Sequence, residues 1–204
     1  TGSLNFLIIG FCMGVCNGFA IPLAHKFGAG DYRGLRAFMV NAIYLSAIFA
    51  VVMMAVTVVF CRPILELMRT PDNIIDGAYL YIVIIFAGIP ATYLYNLISA
   101  IIRSMGDSKT PVVFLVISSV MNIALDLVFI INLHLGVAGA SLATVISQAV
   151  SGIGCLIYSW KKFEILHPDA EERRWNSSYM KTLCGMGVPM GLQYSITAIG
   201  SVIL

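Results

Sequence analysis

Charge is what this sequence has least of. Asp, Glu, Lys and Arg make up 11% of 204 residues, against 59% hydrophobic residues. A soluble domain carries about 25% charged residues to cover its surface, so a soluble globular protein is excluded. The same apolar content excludes a disordered chain. A net charge of +2, scattered along the chain, is too small for a nucleic-acid binder. Motifs of soluble enzymes are missing as well: there is no G-x-S-x-G, no H-E-x-x-H and no phosphate-binding loop. Cys12, Cys16, Cys61, Cys155 and Cys184 show no C-x-x-C spacing and no His at ligand distance. They read as small apolar packers and leave the redox compartment open. With a mean hydropathy of +0.93, what remains is a polytopic membrane protein.

A helix needs about 20 apolar residues to cross about 30 Å of hydrocarbon. Six stretches meet or approach this: 4–24, 38–60, 78–102, 111–132, 136–158 and 183–204. Their length and lack of period-2 alternation exclude a β-barrel. The sequence therefore predicts an all-α transmembrane helical bundle. The first five spans form one lobe over 1–160, followed by a charged linker over 161–182 and the start of a second lobe. With no basic region before the first span, that span does not read as a signal peptide. The chain reads as a piece of a longer protein.

Basic residues set the orientation. The first, third and fifth loops hold Lys26, Arg33, Arg36, Arg103, Lys109, Lys161, Lys162, Arg173, Arg174 and Lys181, ten of the twelve Lys and Arg. These loops are expected in the cytoplasm, with the first described span starting outside. Asn176-Ser177-Ser178 fits the glycosylation pattern, but its predicted cytoplasmic side removes its weight.

Of ten acidic residues, only Asp126 falls deep within a span. A charge at that depth costs at least about 2.5–3.5 kcal/mol on insertion scales. Asn122 lies one helical turn earlier on the same face. Counted from the tight turn at His134, Asn122, Thr144 and Asp126 fall within about 6 Å of one another in depth. If the fourth and fifth spans pack with these faces together, a carboxylate, an amide and a hydroxyl converge. Hard oxygens suit Na⁺, and Asp126 alone can take a proton. The competing reading is a structural tie between helices.

Glycine and proline punctuate the other spans. Gly10, Gly14 and Gly18 form a small-x-x-x-small ridge suited to close helix approach. Pro22, Pro90 and Pro189 are expected to interrupt their spans, with Gly88-Ile89-Pro90 and Gly187-Val188-Pro189 repeating one pattern. Asn5, Asn17, Asn41, Asn96, Gln148 and Gln193 are further intramembrane polar groups. Phe86, Tyr93 and Tyr95, interleaved with methionines, either pack helices or offer a lining for bulky cations.

Four segments, in this order and within this span pattern, resemble the multidrug and toxic compound extrusion family of cation-coupled antiporters. They are Phe27-Gly28-Ala29-Gly30-Asp31, the run from Arg103 through Gly106-Asp107 to Pro111, Asn122-Ile123-Ala124-Leu125-Asp126, and the run from Gly136 to Thr144. The resemblance covers essentially the whole chain. It implies the amino-terminal lobe of a twelve-helix, two-lobe antiporter, with this chain supplying helices two to six and the start of helix seven. It implies a cation site built from Asn122, Asp126, Thr144 and the backbone carbonyl of Ala140, with Asn96 in a supporting polar network. It implies Na⁺ or H⁺ as coupling ion, no other cofactor, and a cationic or amphiphilic small molecule as substrate. The expected setting is a plasma membrane, the inner membrane of a bacterium, with lipid rather than nucleic acid as partner. The essential acidic residue of the family's first helix would lie upstream of Thr1.

The alternative within the same superfamily is a lipid-linked oligosaccharide flippase. That activity favours a cationic groove, and these spans hold no deep Lys or Arg. An intramembrane enzyme would need a second catalytic group beside Asp126, which no span offers; a non-transporting scaffold is the remaining class. Topology is testable directly. Single cysteines at 33, 109 and 173 should resist an impermeant thiol reagent in intact cells, while those at 72 and 134 should react. Labelling of position 173 from outside overturns the orientation.

Overall fold

The computed structural model describes the backbone of residues 2–203 and the side chains of 4–200. Every regular element among the described residues is helical, as the long apolar runs require. The elements are α1 (Gly2–Gly28), α2 (Tyr32–Leu67), α3 (Asp72–Ala87), α4 (Ile89–Ser104), α5 (Lys109–Leu127), α6 (Gly136–Lys162) and α7 (Ser177–Ile203). A five-residue π-helix, Val128–Asn132, continues α5, and a 3₁₀ turn, Glu164–Leu166, follows α6. The helices run past the predicted spans at most ends. The connection ahead of α7 shortens accordingly to 163–176.

The helix starts explain two of the family-like segments. Gly30 adopts φ +70°, which frees Asp31 to cap α2 by accepting from the Gly34 N–H at 2.9 Å. Gly106 adopts φ +87°, and Asp107 then accepts from the N–H groups of Lys109 (3.1 Å) and Thr110 (3.0 Å) and from the Thr110 hydroxyl (2.7 Å). Glycine tolerates these left-handed turns at no steric cost, and a capping carboxylate satisfies N–H groups that a helix start leaves free. Lys162 at the end of α6 joins Asp107 at 2.9 Å. Held first by the Thr110 N–H, then by its hydroxyl and by Lys162, Asp107 stays well below the usual carboxylate range.

Two of the three prolines behave differently from expectation. Only the third span breaks: α3 and α4 meet at Gly88 with a 44° bend. Pro90 sits in the first turn of α4, where its missing N–H costs no intrahelical bond. Pro22 and Pro189 lie inside continuous helices. Both belong to α1 and α7, which support each other side by side along their length.

That pairing is antiparallel and very close. A Cβ built on Gly18 would sit 2.5 Å from the Gly187 Cα, and one on Gly14 would sit 2.7 Å from the Gly191 Cα. The glycine ridge on α1 thus meets a second glycine pair on α7. Further along, the Ser195 hydroxyl donates to the Leu7 carbonyl (3.3 Å), and Asn17 donates to the Tyr194 hydroxyl (3.3 Å). Behind α1 lie α2 and α4, with Phe19, Leu23, Ile82, Phe86 and Tyr93 in the shared core. On the far side α6 packs against α3, α4 and α5. Cys12, Cys16, Cys61 and Cys155 are buried and free, as small packers would be.

The connection to α7 is fastened to the first turns of α2. Glu172, almost fully buried, takes a two-pronged bond from Arg36 (2.6 and 2.8 Å), and Arg33 pairs with Glu171. Asn41, which the sequence presents as an intramembrane polar group, donates to the Arg174 carbonyl (3.3 Å) and accepts from the Asn176 N–H (2.9 Å). The Tyr44 hydroxyl donates to the Arg173 carbonyl at 3.1 Å. Phe38 stacks on Tyr179 at 4.2 Å.

Two stability predictions follow from these contacts. Gly18→Ala should destabilise the protein by about 1–3 kcal/mol, because backbone rather than a flexible side chain opposes the new methyl. Gly77→Ala, which meets open space within α3, should be neutral or slightly stabilising in the same detergent melting assay. Arg36, against the opposing effect of burial, holds Glu172 below its ordinary value of 4.5. The resulting stabilisation is complete above that value and is lost as pH falls through the depressed one. Glu172→Gln should therefore cost about 1–3 kcal/mol near neutrality, with mutant and wild-type melting points converging as pH drops below 4.5.

Candidate cation-binding site

α5 and α6 form the hairpin that carries the predicted residues. Its turn is short because His134 and Gly136 both take left-handed backbone angles, φ 52° and 54°. The Leu135 N–H then closes onto the Phe129 carbonyl at 2.9 Å. On α6, Gly139 lets this end of the hairpin close up. A Cβ there would lie 3.0 Å from that of Phe129.

The hairpin brings Asn122 and Thr144 together. The Asn122 amide donates to the Thr144 hydroxyl at 3.4 Å, and that hydroxyl donates to the Ala140 carbonyl at 3.1 Å. With its NH₂ so engaged, Asn122 keeps its carbonyl oxygen available. Asp126 follows Asn122 by one turn on α5, just before the π-helix. Its Oδ1 is buried and has no hydrogen-bond partner. A buried polar atom left unpaired costs about 1–3 kcal/mol, so this oxygen is set up for a ligand or a proton. Asn122, Asp126 and Thr144 are all partly exposed, and beyond Pro111 the described helices bury no residue of α5 completely.

The donor chemistry selects the kind of ion. A carboxylate, an amide oxygen, a hydroxyl and a main-chain carbonyl are all hard oxygens, the set that suits Na⁺ rather than a transition metal. No cluster of three or more His, Cys, Asp or Glu side chains that could hold a metal occurs among the described residues.

Asn96 does not reach this group. Its amide donates to the Thr92 carbonyl at 2.8 Å, within its own helix. The α4 side chain that hydrogen-bonds to α6 is that of Thr92, whose hydroxyl donates to Gln148 at 2.7 Å. Sequence reasoning noted Gln148 only as one of several polar groups. The signal was its place one turn beyond Thr144, on the stripe Ala140, Thr144, Gln148. The π-helix after Asp126 had no sequence signal; such bulges are frequent at functional sites.

Comparison with known proteins settles the family. The MatE family model matches residues 1–128, well over half of the chain. The chain belongs to the MatE family. Its members are transporters that pass through the membrane many times, which agrees with the long apolar helices here. "Probable multidrug resistance protein YoeA" of Bacillus subtilis (strain 168) is 31% identical, over 98% of this chain and 44% of its own length. "Multidrug export protein MepA" of Staphylococcus haemolyticus (strain JCSC1435) is 24% identical, over 99% of this chain and 46% of its own. A solved structure described as the inward-facing conformation of a multidrug resistance MATE family transporter superposes with TM-score 0.87 at 24% identity, covering 97% of this chain and 45% of that one. An outward-facing counterpart gives TM-score 0.84 at 24% identity, over 94% of this chain and 43% of that one. The MatE chain described here thus spans a little under half the length of these relatives, and its fold is that of MATE transporters.

Proposed function

We propose that this MatE chain forms the amino-terminal lobe of a secondary active efflux transporter in the plasma membrane. Na⁺ or H⁺ entering down its gradient is exchanged for an organic cation or another amphiphilic compound leaving the cell. The observation that carries the reading is the unpaired buried oxygen of Asp126, set on the hairpin that joins Asn122 to Thr144. An ionised carboxylate there binds Na⁺ with help from neutral oxygens, and a proton neutralises the same group. The two ions therefore compete for one position. One elementary charge moved across 100 mV supplies about 2.3 kcal/mol, which alternating access of two lobes about a central site converts into export.

Multidrug relatives support a small organic substrate. So does the scarcity of deep cationic groups, since Asp126 is the deep charge of these spans and it is acidic.

Asp126→Asn keeps size and hydrogen bonding while removing the charge. In the full-length protein in liposomes it should abolish or strongly weaken efflux driven by an imposed Na⁺ or H⁺ gradient, with folding nearly intact. Asn122→Ala and Thr144→Ala should weaken transport less, since each removes one neutral ligand. Undiminished gradient-driven efflux by Asp126→Asn would show that Asp126 is a structural tie and that coupling resides elsewhere.

A further inference from the structure

Thr92 and Gln148 belong to neither the cation group nor the cap motifs, yet they make the short polar bond between α4 and α6. The Thr92 side chain is buried, and its hydroxyl lies 2.7 Å from the Gln148 carboxamide oxygen. It lies 3.4 Å from the Gly88 carbonyl. A hydroxyl has one hydrogen, so the shorter contact takes it, and the Gly88 carbonyl is satisfied by the Thr92 N–H at 3.1 Å.

The placement of this bond is specific in two ways. On α6, Gln148 stands one turn beyond Thr144, on the stripe that presents the Ala140 carbonyl and the Thr144 hydroxyl. On the other side, Thr92 lies in the first turn after the 44° break of the third span. The break itself rests on α6: a Cβ at Gly88 would come 2.4 Å from a methyl of Val145, the residue after Thr144. Thr144 is therefore flanked by two contacts with the bend, Gly88 on Val145 and Thr92 on Gln148.

We propose that Thr92 and Gln148 are positioning residues for the cation site, and that they tie its geometry to the bend at Gly88. The inference rests on the cation-site reading given above. The bond between Asn122 and Thr144, at 3.4 Å, is too long to fix the rotation of α6 by itself. The Thr92 bond, on the same stripe, holds α6 in the rotation at which the Thr144 hydroxyl meets Asn122. If α4 tilts at the break, Thr92 carries Gln148 with it and Thr144 turns away from Asn122. Coupling of this kind is reciprocal: a cation that favours one rotation of α6 favours one angle of the bend.

The test uses the full-length protein in liposomes, with ethidium as the exported dye and coupling cation titrated, Na⁺ and H⁺ in turn. Thr92→Val and Gln148→Asn, which keeps an amide but shortens its reach, should each raise the half-saturating cation concentration about three- to tenfold. The half-saturating ethidium concentration and the melting point should stay near wild type. Thr92→Ser, which restores the hydroxyl, should restore the wild-type cation curve. The double variant should be no worse than either single one, because one bond is lost in all three. Asp126→Asn serves as the reference. If it loses cation dependence while Thr92→Val and Gln148→Asn keep the wild-type curve, the positioning role is refuted and the site stands. If Asp126→Asn itself keeps wild-type cation dependence, the site reading falls and this inference with it.

Discussion

A peptide backbone in hydrocarbon has no water to fall back on, so each N–H and C=O must find its partner within the protein. Interruptions of a membrane helix are tolerated only where other groups replace the missing bonds. Among the described residues two such places lie at depth, and both adjoin the candidate cation group. At Gly88 the N–H bonds back to the Ile84 and Ile85 carbonyls while the carbonyl takes the Thr92 N–H, so a 44° bend leaves neither group unpaired. After Asp126 the helix widens into the π-helix Val128–Asn132 rather than ending. The rest of the bundle keeps to unbroken helices, even through Pro22 and Pro189. Irregularity is concentrated on the α5–α6 hairpin and on the α3–α4 break that leans against it.

Much of this was legible in the sequence, because the signals were local. Hydropathy located the spans, Gly136 with His134 marked the hairpin turn, and turn-counting from it brought Asn122 and Thr144 to one depth. What escaped was set by partners distant in sequence. The ridge of Gly14 and Gly18 was visible, but Gly187 and Gly191 became its counterpart only once α7 ran antiparallel to α1. The two Gly-x-Pro motifs look alike on paper and differ in outcome, since one falls at a helix start and the other within a supported helix. Thr92 was invisible for the same reason: nothing in its neighbourhood announces a bond to residue 148. Asn96, the polar residue that drew attention on that helix, bonds only to its own backbone.

Family-like segments also divide by what they do. Two of them, around Asp31 and Asp107, hold a glycine turn followed by a capping carboxylate, and their acidic side chains are already satisfied. Asp126 differs because one of its oxygens has nothing to accept from. Three carboxylates of similar sequence prominence are thus separated by hydrogen-bond accounting alone. The capping pair fixes where α2 and α5 begin; the third keeps a buried oxygen open.

Asn41 holds the connection ahead of α7 through the main chain, taking one carbonyl and one N–H two residues apart, much as a neighbouring β-strand would. Side chains at 174 and 176 play no part in those two bonds. Sequence drift at 174 is therefore cheap, whereas Asn176 also caps α7, its Oδ1 accepting from the Ser178 (2.9 Å) and Tyr179 (3.3 Å) N–H groups. A change in the number of residues between them is not cheap. One amide on α2 thus acts as a ruler for the crossing from α6 to α7, reading main chain and strict about length.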